Sequence, residues 1–344
     1  MKASKIKKKK TFFKKLFLKL SRLLGYEVMD QGDLSLLSTE GKEERNSLSQ
    51  IGKSSLTLPM GTVNITRPVK SLDIILRTCA SVKMLTQSKE RIFEKEKSEY
   101  TLRCLKSIVN SINFSKNELK NIKIKFTIID FKSEKNIIDK FNSILQNNFF
   151  NYDIKSLDYN KYSAHISEKN EENKSVTDNQ KSNMSNIYQS LDLSKKCGDL
   201  IYFVEDDYLH EKDAISEMIY SYERISSQIK KELILCPADY PYLYTKADNT
   251  NIFLGSKKHW RKISESLCTF LTSKIIIDKY WQELISMCEY EHYPFETPLH
   301  KIYELENCFS PIPSSAIHFT NINSIFGLSP NVDWKRIWDE NENY

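Results

Sequence analysis

Hydrophobic and polar positions change period several times along the chain, and each change marks an element. Residues 12–24 set Phe12, Phe13, Leu16, Phe17, Leu20, Leu23 and Leu24 at helical spacing, with Lys14, Lys15, Lys19 and Arg22 on the other face, which predicts a basic amphipathic helix closed by Gly25. Residues 27–70 mix Gly, Ser, Glu and Lys with few aromatics and end in Arg67-Pro68, the composition of a linker or wrapping segment. Strand-like and helix-like stretches then alternate: LDIILRTC (72–79), a helix near 88–112, IKIKFTIIDF (122–131), a helix near 134–147, and YDIKSLDY (152–159). This βαβαβ order predicts an α/β fold whose mostly parallel central sheet is flanked by helices. Residues 160–183 are nearly all polar and predict a mobile surface insertion. A helix near 184–196 follows, ended by Gly198, and then the apolar strand Leu200–Val204. LILCPADY (233–240), LCTFLT (267–272) and a helix near 274–288 complete the sheet. The expected organisation is a helix at 1–26, a linker at 27–70, a catalytic domain at 71–320 and an extension at 321–344.

Composition narrows the chemistry. With 344 residues, 40% of them hydrophobic, the chain can bury a substantial core. Glycine accounts for only 8 of these residues, and neither GxGxxG nor a P-loop is present; Gly52-Lys53-Ser54 has Ser47 where the first P-loop glycine belongs. Formal net charge is +6, yet residues 1–22 alone hold nine Lys and one Arg with no acid, leaving the remainder at −4. A nucleic-acid groove in the body would need its own basic surplus, so no nucleic-acid partner is expected. The basic helix suits an anionic membrane surface, reached through residues 1–24, or a docking partner. Seven cysteines lie at least 20 residues apart, without metal-binding spacing, and suggest reduced thiols in a cytosolic protein. No apolar run approaches the ~18 residues of a membrane span, and no signal-peptide pattern is present. The expected location is cytoplasmic, peripheral on the inner face of the membrane.

The sharpest feature is Glu205-Asp206-Asp207 at the carboxyl end of an apolar strand, where open α/β sheets place ligands. Three adjacent carboxylates repel one another unless a cation neutralises them, and an oxygen-rich set suits Mg²⁺ or Mn²⁺ with substrate phosphates completing the shell. The competing reading is a solvated turn in which Asp207 or Asp213 caps the next helix.

VEDDYLHEKDAISEM resembles the DXD-type segment of glycosyltransferases with the GT-A fold, particularly the Glu-Asp-Asp variant of N-acetylglucosaminyltransferase I and its relatives. The resemblance extends more loosely from Leu72 to His318. It implies a GT-A-like nucleotide-diphospho-sugar transferase fold. The implied activity is metal-dependent transfer from a nucleoside diphosphate sugar to a glycan or lipid-linked acceptor, in surface glycan synthesis. By this resemblance Arg77 and Thr78 line the nucleotide pocket, Asp130 accepts from the base, Glu205 lies near the ribose, Asp206 supports them, and Asp207 ligates the metal. Many family 2 enzymes carry an alanine- and glycine-bearing helix before this strand, where the present chain reads SNIYQSLDLSKKCG.

The family places its catalytic base after the last core helix, and YEHYPFETPLHKIYE (290–304) occupies that place. Glu296 is the first candidate base, ahead of an expected Thr297 N-cap and Pro298 at the first helical position; Glu291 and Asp239 are alternatives. His318 matches a C-terminal histidine that some GT-A enzymes use as a further metal ligand or diphosphate contact. In GSKKHWRKISES (255–266), Lys258 and Arg261 flank Trp260 in a composition able to hold a diphosphate, as a closing loop or as a solvated basic turn. Trp334 and Trp338 belong to a tail that covers the acceptor cleft or packs on the core. Two rivals stay open at this point: a nucleotidyltransferase, and a non-catalytic membrane-surface binding protein.

Overall fold

The N-terminal stripes wind into α1 (Phe12–Leu23), whose Phe12, Phe13, Leu16, Phe17, Leu20 and Leu23 side chains are exposed. This computed structural model describes residues 12–26, 63–80, 91–245, 250–320, 323–342 and 344, and the chain divides into two compact units, residues 1–63 and residues 64–344. Most of the expected linker lies outside the described residues. Its end enters the second unit, where Arg67 forms ion pairs with Asp199 at 2.5 Å and Glu232 at 2.8 Å.

Within the second unit, runs of Ile, Leu and Val make strands buried on both faces, the signature of parallel sheet. β1 (Ser71–Thr78), α2 (Lys97–Phe114), β2 (Lys123–Asp130), α3 (Lys135–Leu145) and β3 (Asn151–Ser156) come first. α4 (Tyr159–Ser163) and α5 (Asp178–Ser194) lead back to β4 (Leu200–Glu205), followed by β5 (Tyr208–His210), α6 (Ala214–Ile229) and β6 (Leu233–Leu235). The remaining elements are β7 (Ile252–Leu254), β8 (His259–Ile263), β9 (Phe270–Ser273), α7 (Lys274–Lys279), α8 (Trp281–Glu289), α9 (Thr297–Leu305), β10 (Asn307–Ile312), β11 (Ala316–His318) and α10 (Trp334–Glu340).

The nine-stranded sheet has the order β3-β2-β1-β4-β9-β6-β10-β8-β7. β9 and β8 run against the other strands, so the sheet is mostly parallel, as the alternating pattern predicts. β1 builds outward to β2 and β3, and the chain then returns to pair β4 with the other side of β1. That reversal is a topological switch point, and its crevice opens at the carboxyl ends of β1 and β4. α2 packs with α3 and α6, whereas α5 packs on β1, β2 and α8; right-handed crossovers in opposite directions place α2 and α5 on opposite faces. Leu72, Ile74, Leu76, Phe126, Ile128, Tyr202 and Val204 form the centre of the core.

Several expectations need correction. The first crossover helix starts at Lys97 rather than near 88; of the residues in between, 91–96 are described and non-helical. Residues 160–183 carry α4, an antiparallel bridge between Lys169 and Ser175, and the first turn of α5, which begins at Asp178. Ile166, Val176 and Met184 pack together there, three apolar residues too far apart in sequence to show as a pattern. The helix expected at 274–288 is divided at Tyr280 into α7 and α8. The basic segment at 255–266 is no closing loop: its centre is β8, paired with β7 and β10. The tail packs on α2, where Trp338 stacks on Phe93 with centroids 4.2 Å apart and lies under Arg103 at 4.2 Å.

Candidate functional site

The parallel register sets Arg77 beside Glu205 and Thr78 beside Asp130, so the switch point gathers four of the expected residues before any side chain is considered. Arg77 forms an ion pair with Glu205 at 3.1 Å and donates to Asn183 Oδ1 on α5 at 3.0 Å. Burial raises the Glu205 carboxyl above its ordinary value although Arg77 opposes the shift. Thr78 donates to Asp130 Oδ1 at 2.7 Å, and the Ser133 amide donates to its other oxygen at 2.9 Å. Asp130 therefore braces the ends of β1 and β2 while lining a cavity of about 630 Å³ with Lys132, Ser133, Tyr152 and Asp153.

The three acids have different partners. Asp206 Oδ2 accepts from Thr101 Oγ1 at 2.9 Å and from the Cys79 amide at 3.2 Å, with Lys97 Nζ at 3.5 Å. It ties the strand ends to the first turns of α2, a helix N-terminus that favours negative charge. Asp207 Oδ2 instead meets Arg91 Nη2 at 2.8 Å and His318 Nε2 at 3.3 Å. Burial works to raise the Asp207 carboxyl, but the His318 and Arg91 cations outweigh it and hold it well below the usual carboxylate range. Burial likewise opposes the His318 imidazolium, and Asp207 with Glu205 more than compensates, so that imidazole is raised.

His318 reaches Asp207 because β11 pairs antiparallel with β5, matching His318 with Tyr208, and because the Phe319 amide donates to the Asp207 carbonyl at 2.8 Å. Its ring stacks on Tyr208 at 4.8 Å, and Nδ1 lies 2.7 Å from the Phe326 carbonyl, which fixes Nδ1 as the donor and turns Nε2 toward Asp207. A divalent cation fits this donor set: a carboxylate oxygen and an imidazole nitrogen whose other N–H is held by a carbonyl. Among the described residues no group of three or more His, Cys, Asp or Glu could hold a metal. Asp207 and His318 would thus supply two ligands, and substrate oxygens and water the rest.

Glu296 arrives from the opposite end of the sequence. It is the N-cap residue of α9 itself, one position earlier than the expected Thr297 cap, and its side chain makes no capping bond. Cys268 Sγ lies 3.9 Å from Glu296 Oε1, while the next residue, Thr269, accepts from the Glu205 amide at 3.0 Å and contacts Glu205 Oε2 at 3.3 Å. Burial and the nearby Glu205 charge push the Glu296 carboxyl up to about 7.

Other candidates are held elsewhere. Lys258 Nζ donates to the Ser314 carbonyl at 2.7 Å, and Arg261 is ion-paired with Asp239, which also accepts from Tyr244. β8, the strand of Arg261, lies four strand spacings from β4, ~19 Å at ~4.8 Å each, which removes it from the acidic strand end. Glu291 Oε2 accepts from Asn170 Nδ2 at 3.1 Å and anchors the 166–176 segment. Sequence reasoning missed Arg91, Thr101, Asn183 and Thr269. Arg91, Thr101 and Thr269 meet their acids, and Asn183 meets Arg77, from remote stretches, and a lone Arg before a helix carries no local mark.

No family model matches the chain, and no curated protein matches it. Among solved structures, the galactosyltransferase LgtC in complex with donor and acceptor sugar analogues is similar at 9% identity, over 69% of this chain and 72% of its own, with a TM-score of 0.35. TarS of S. aureus is similar at 12% identity over 64% of this chain and 33% of its own, with a TM-score of 0.33. The UTP-bound UGPase of Acinetobacter baumannii is similar at 7% identity over 74% and 90%, with a TM-score of 0.40. At these scores the likeness assigns no activity, and the functional reading rests on this chain's own side chains.

Proposed function

We propose that the chain is a glycosyltransferase that moves a sugar from a nucleoside diphosphate donor, bound at the carboxyl ends of β1 and β4, to a hydroxyl acceptor. The observation that carries this reading is the convergence of Glu296, raised to about 7, on the acidic strand end through the adjacent Cys268 and Thr269. A carboxylate with that pKa is suited to general-base work near neutrality. Glu296 takes the acceptor hydroxyl proton as the acceptor oxygen bonds to the anomeric carbon and the bond from that carbon to the diphosphate breaks. A divalent ion held by Asp207 and His318 would neutralise charge on the departing diphosphate. Arg77, fixed between Glu205 and Asn183, keeps Glu205 oriented at the mouth of the crevice.

The test is a thermal-shift panel of uridine, guanosine, cytidine and thymidine diphosphates, with and without Mn²⁺, on wild type and Asp207→Asn. The expected result is a stabilisation that requires one nucleotide, the metal and Asp207 together, with sugar transfer abolished in Asp207→Asn. Absence of any shift would leave a non-catalytic protein. Pyrophosphorolysis of a nucleotide sugar without transfer to an acceptor would establish a nucleotidyltransferase instead; the stretch from β1 to α2 contains no glycine from which to build that class's phosphate loop.

The same reading includes an anionic membrane surface as the setting, supported by the exposed apolar side chains of α1 and the basic residues among and before them. Among the described residues no helix is long and apolar enough to cross a membrane.

A further inference from the structure

Arg91 is not used by the reaction described so far, and its surroundings do not satisfy it. It is buried, 8% exposed, with Nη2 on Asp207 Oδ2 at 2.8 Å and its guanidinium carbon 4.5 Å from the centre of the Tyr100 ring. Its Nε and Nη1 are buried and have no hydrogen-bond partner among the described residues. A buried guanidinium with unanswered donors is costly, and native proteins rarely keep one without a ligand or water to answer it. The planar fork of an arginine matches phosphate oxygens two at a time. Nothing else in the stretch between β1 and α2 supplies a glycine cradle for phosphate.

A second observation bears on the same atom. Arg91 and His318 both lie against Asp207 Oδ2, so a cation ligated by that carboxylate must share it with Arg91 or displace it. A diphosphate arriving with the cation offers the displaced guanidinium a new anion.

We infer that Arg91 binds the donor's diphosphate, and that before the donor arrives it neutralises Asp207 and competes with the divalent cation for it. The inference rests on the donor-site reading above. Metal and diphosphate then bind with positive coupling, each removing part of what opposes the other. Arg91 is in this sense both a binding residue and a brake on premature metal loading.

The experiment uses the full chain, wild type, Arg91→Gln and Arg91→Lys, each checked for an unchanged circular dichroism spectrum. Mn²⁺ alone is titrated by electron paramagnetic resonance, and inorganic pyrophosphate by calorimetry with and without Mn²⁺. Arg91→Gln is expected to bind Mn²⁺ alone about threefold or more tighter, to bind pyrophosphate about tenfold or more weaker, and to lose the coupling between them. Arg91→Lys, which keeps the charge without the fork, should retain Mn²⁺ affinity near wild type and recover only part of the pyrophosphate affinity. Equal weakening of both ligands in the two variants would mark Arg91 as structural and overturn the proposal, as would wild-type pyrophosphate affinity in Arg91→Gln. If wild type binds neither pyrophosphate nor any nucleoside diphosphate, the donor-site reading itself fails and the inference falls with it.

Discussion

Asp207 is buried and Glu296 half-buried, and their environments drive the two carboxylates apart: Glu296 is raised to about 7 while Asp207 is held below the usual carboxylate range by His318 and Arg91. Such a divergence separates a group that accepts a proton from one that stays ionised. Activity is expected to rise with pH through an inflection near 7 as Glu296 deprotonates, and Glu296→Gln should lower kcat by about 10²–10⁴-fold and remove that inflection. Stability gives an independent check. A carboxyl whose folded pKa is raised stabilises the fold below its unfolded pKa, and that contribution is lost as pH climbs through the folded value. Glu296→Gln should therefore be more stable than wild type by roughly 3 kcal/mol at pH 8.5 and gain nothing at pH 4, measured by urea denaturation at both pH values.

Elements differ in how plainly the sequence announces them. Leu200–Val204 was legible because a central parallel strand is apolar without alternation, and the three acids after it mark where it stops. β8 was hidden by its own partners: HWRKI reads as a basic turn, but Trp260 is buried with Nε1 on Glu217 at 3.0 Å, and Arg261 is neutralised by Asp239. Neither partner is near it in sequence. At the site, the acidic strand end could be named from the sequence pattern, and Arg77, Asp207, His318 and Glu296 from the resemblance to GT-A glycosyltransferases, whereas Arg91 and Thr269 could not, since only tertiary contact gives them meaning. Gly198 is a case where the structure supplies a reason the sequence reading lacked. A Cβ there would run into the Ser71 side chain while the Gly198 amide donates to Asp73 at 2.8 Å, so the residue serves the close entry of β4 beside β1 more than the end of α5. Trp338→Ala, which empties the space between Phe93 and Arg103, should cost about 3–5 kcal/mol and show as a lowered urea midpoint with little change in slope.

At the scale of the molecule, residues 1–63 and 64–344 are separate compact units, and the site lies wholly within the second. Removal of residues 1–26 should leave the melting transition of the remainder and its nucleotide-induced shift unchanged, while abolishing co-sedimentation with vesicles containing anionic lipid. Retention of vesicle binding by the truncated chain would place the membrane contact elsewhere.

The pairing of β11 with β5 has a temporal meaning as well as a spatial one. Asp207 leaves β4 early, but its histidine partner is delivered more than a hundred residues later, and the ring is oriented by the carbonyl of Phe326. A growing or refolding chain can therefore complete its central strands and still lack the Asp207–His318 pair until its last strand is seated. Donor and metal binding should be the final signals to return on refolding, lagging the recovery of helix and sheet, because contacts so distant in sequence form slowly. The site thus doubles as a report that nearly the whole chain has found its place.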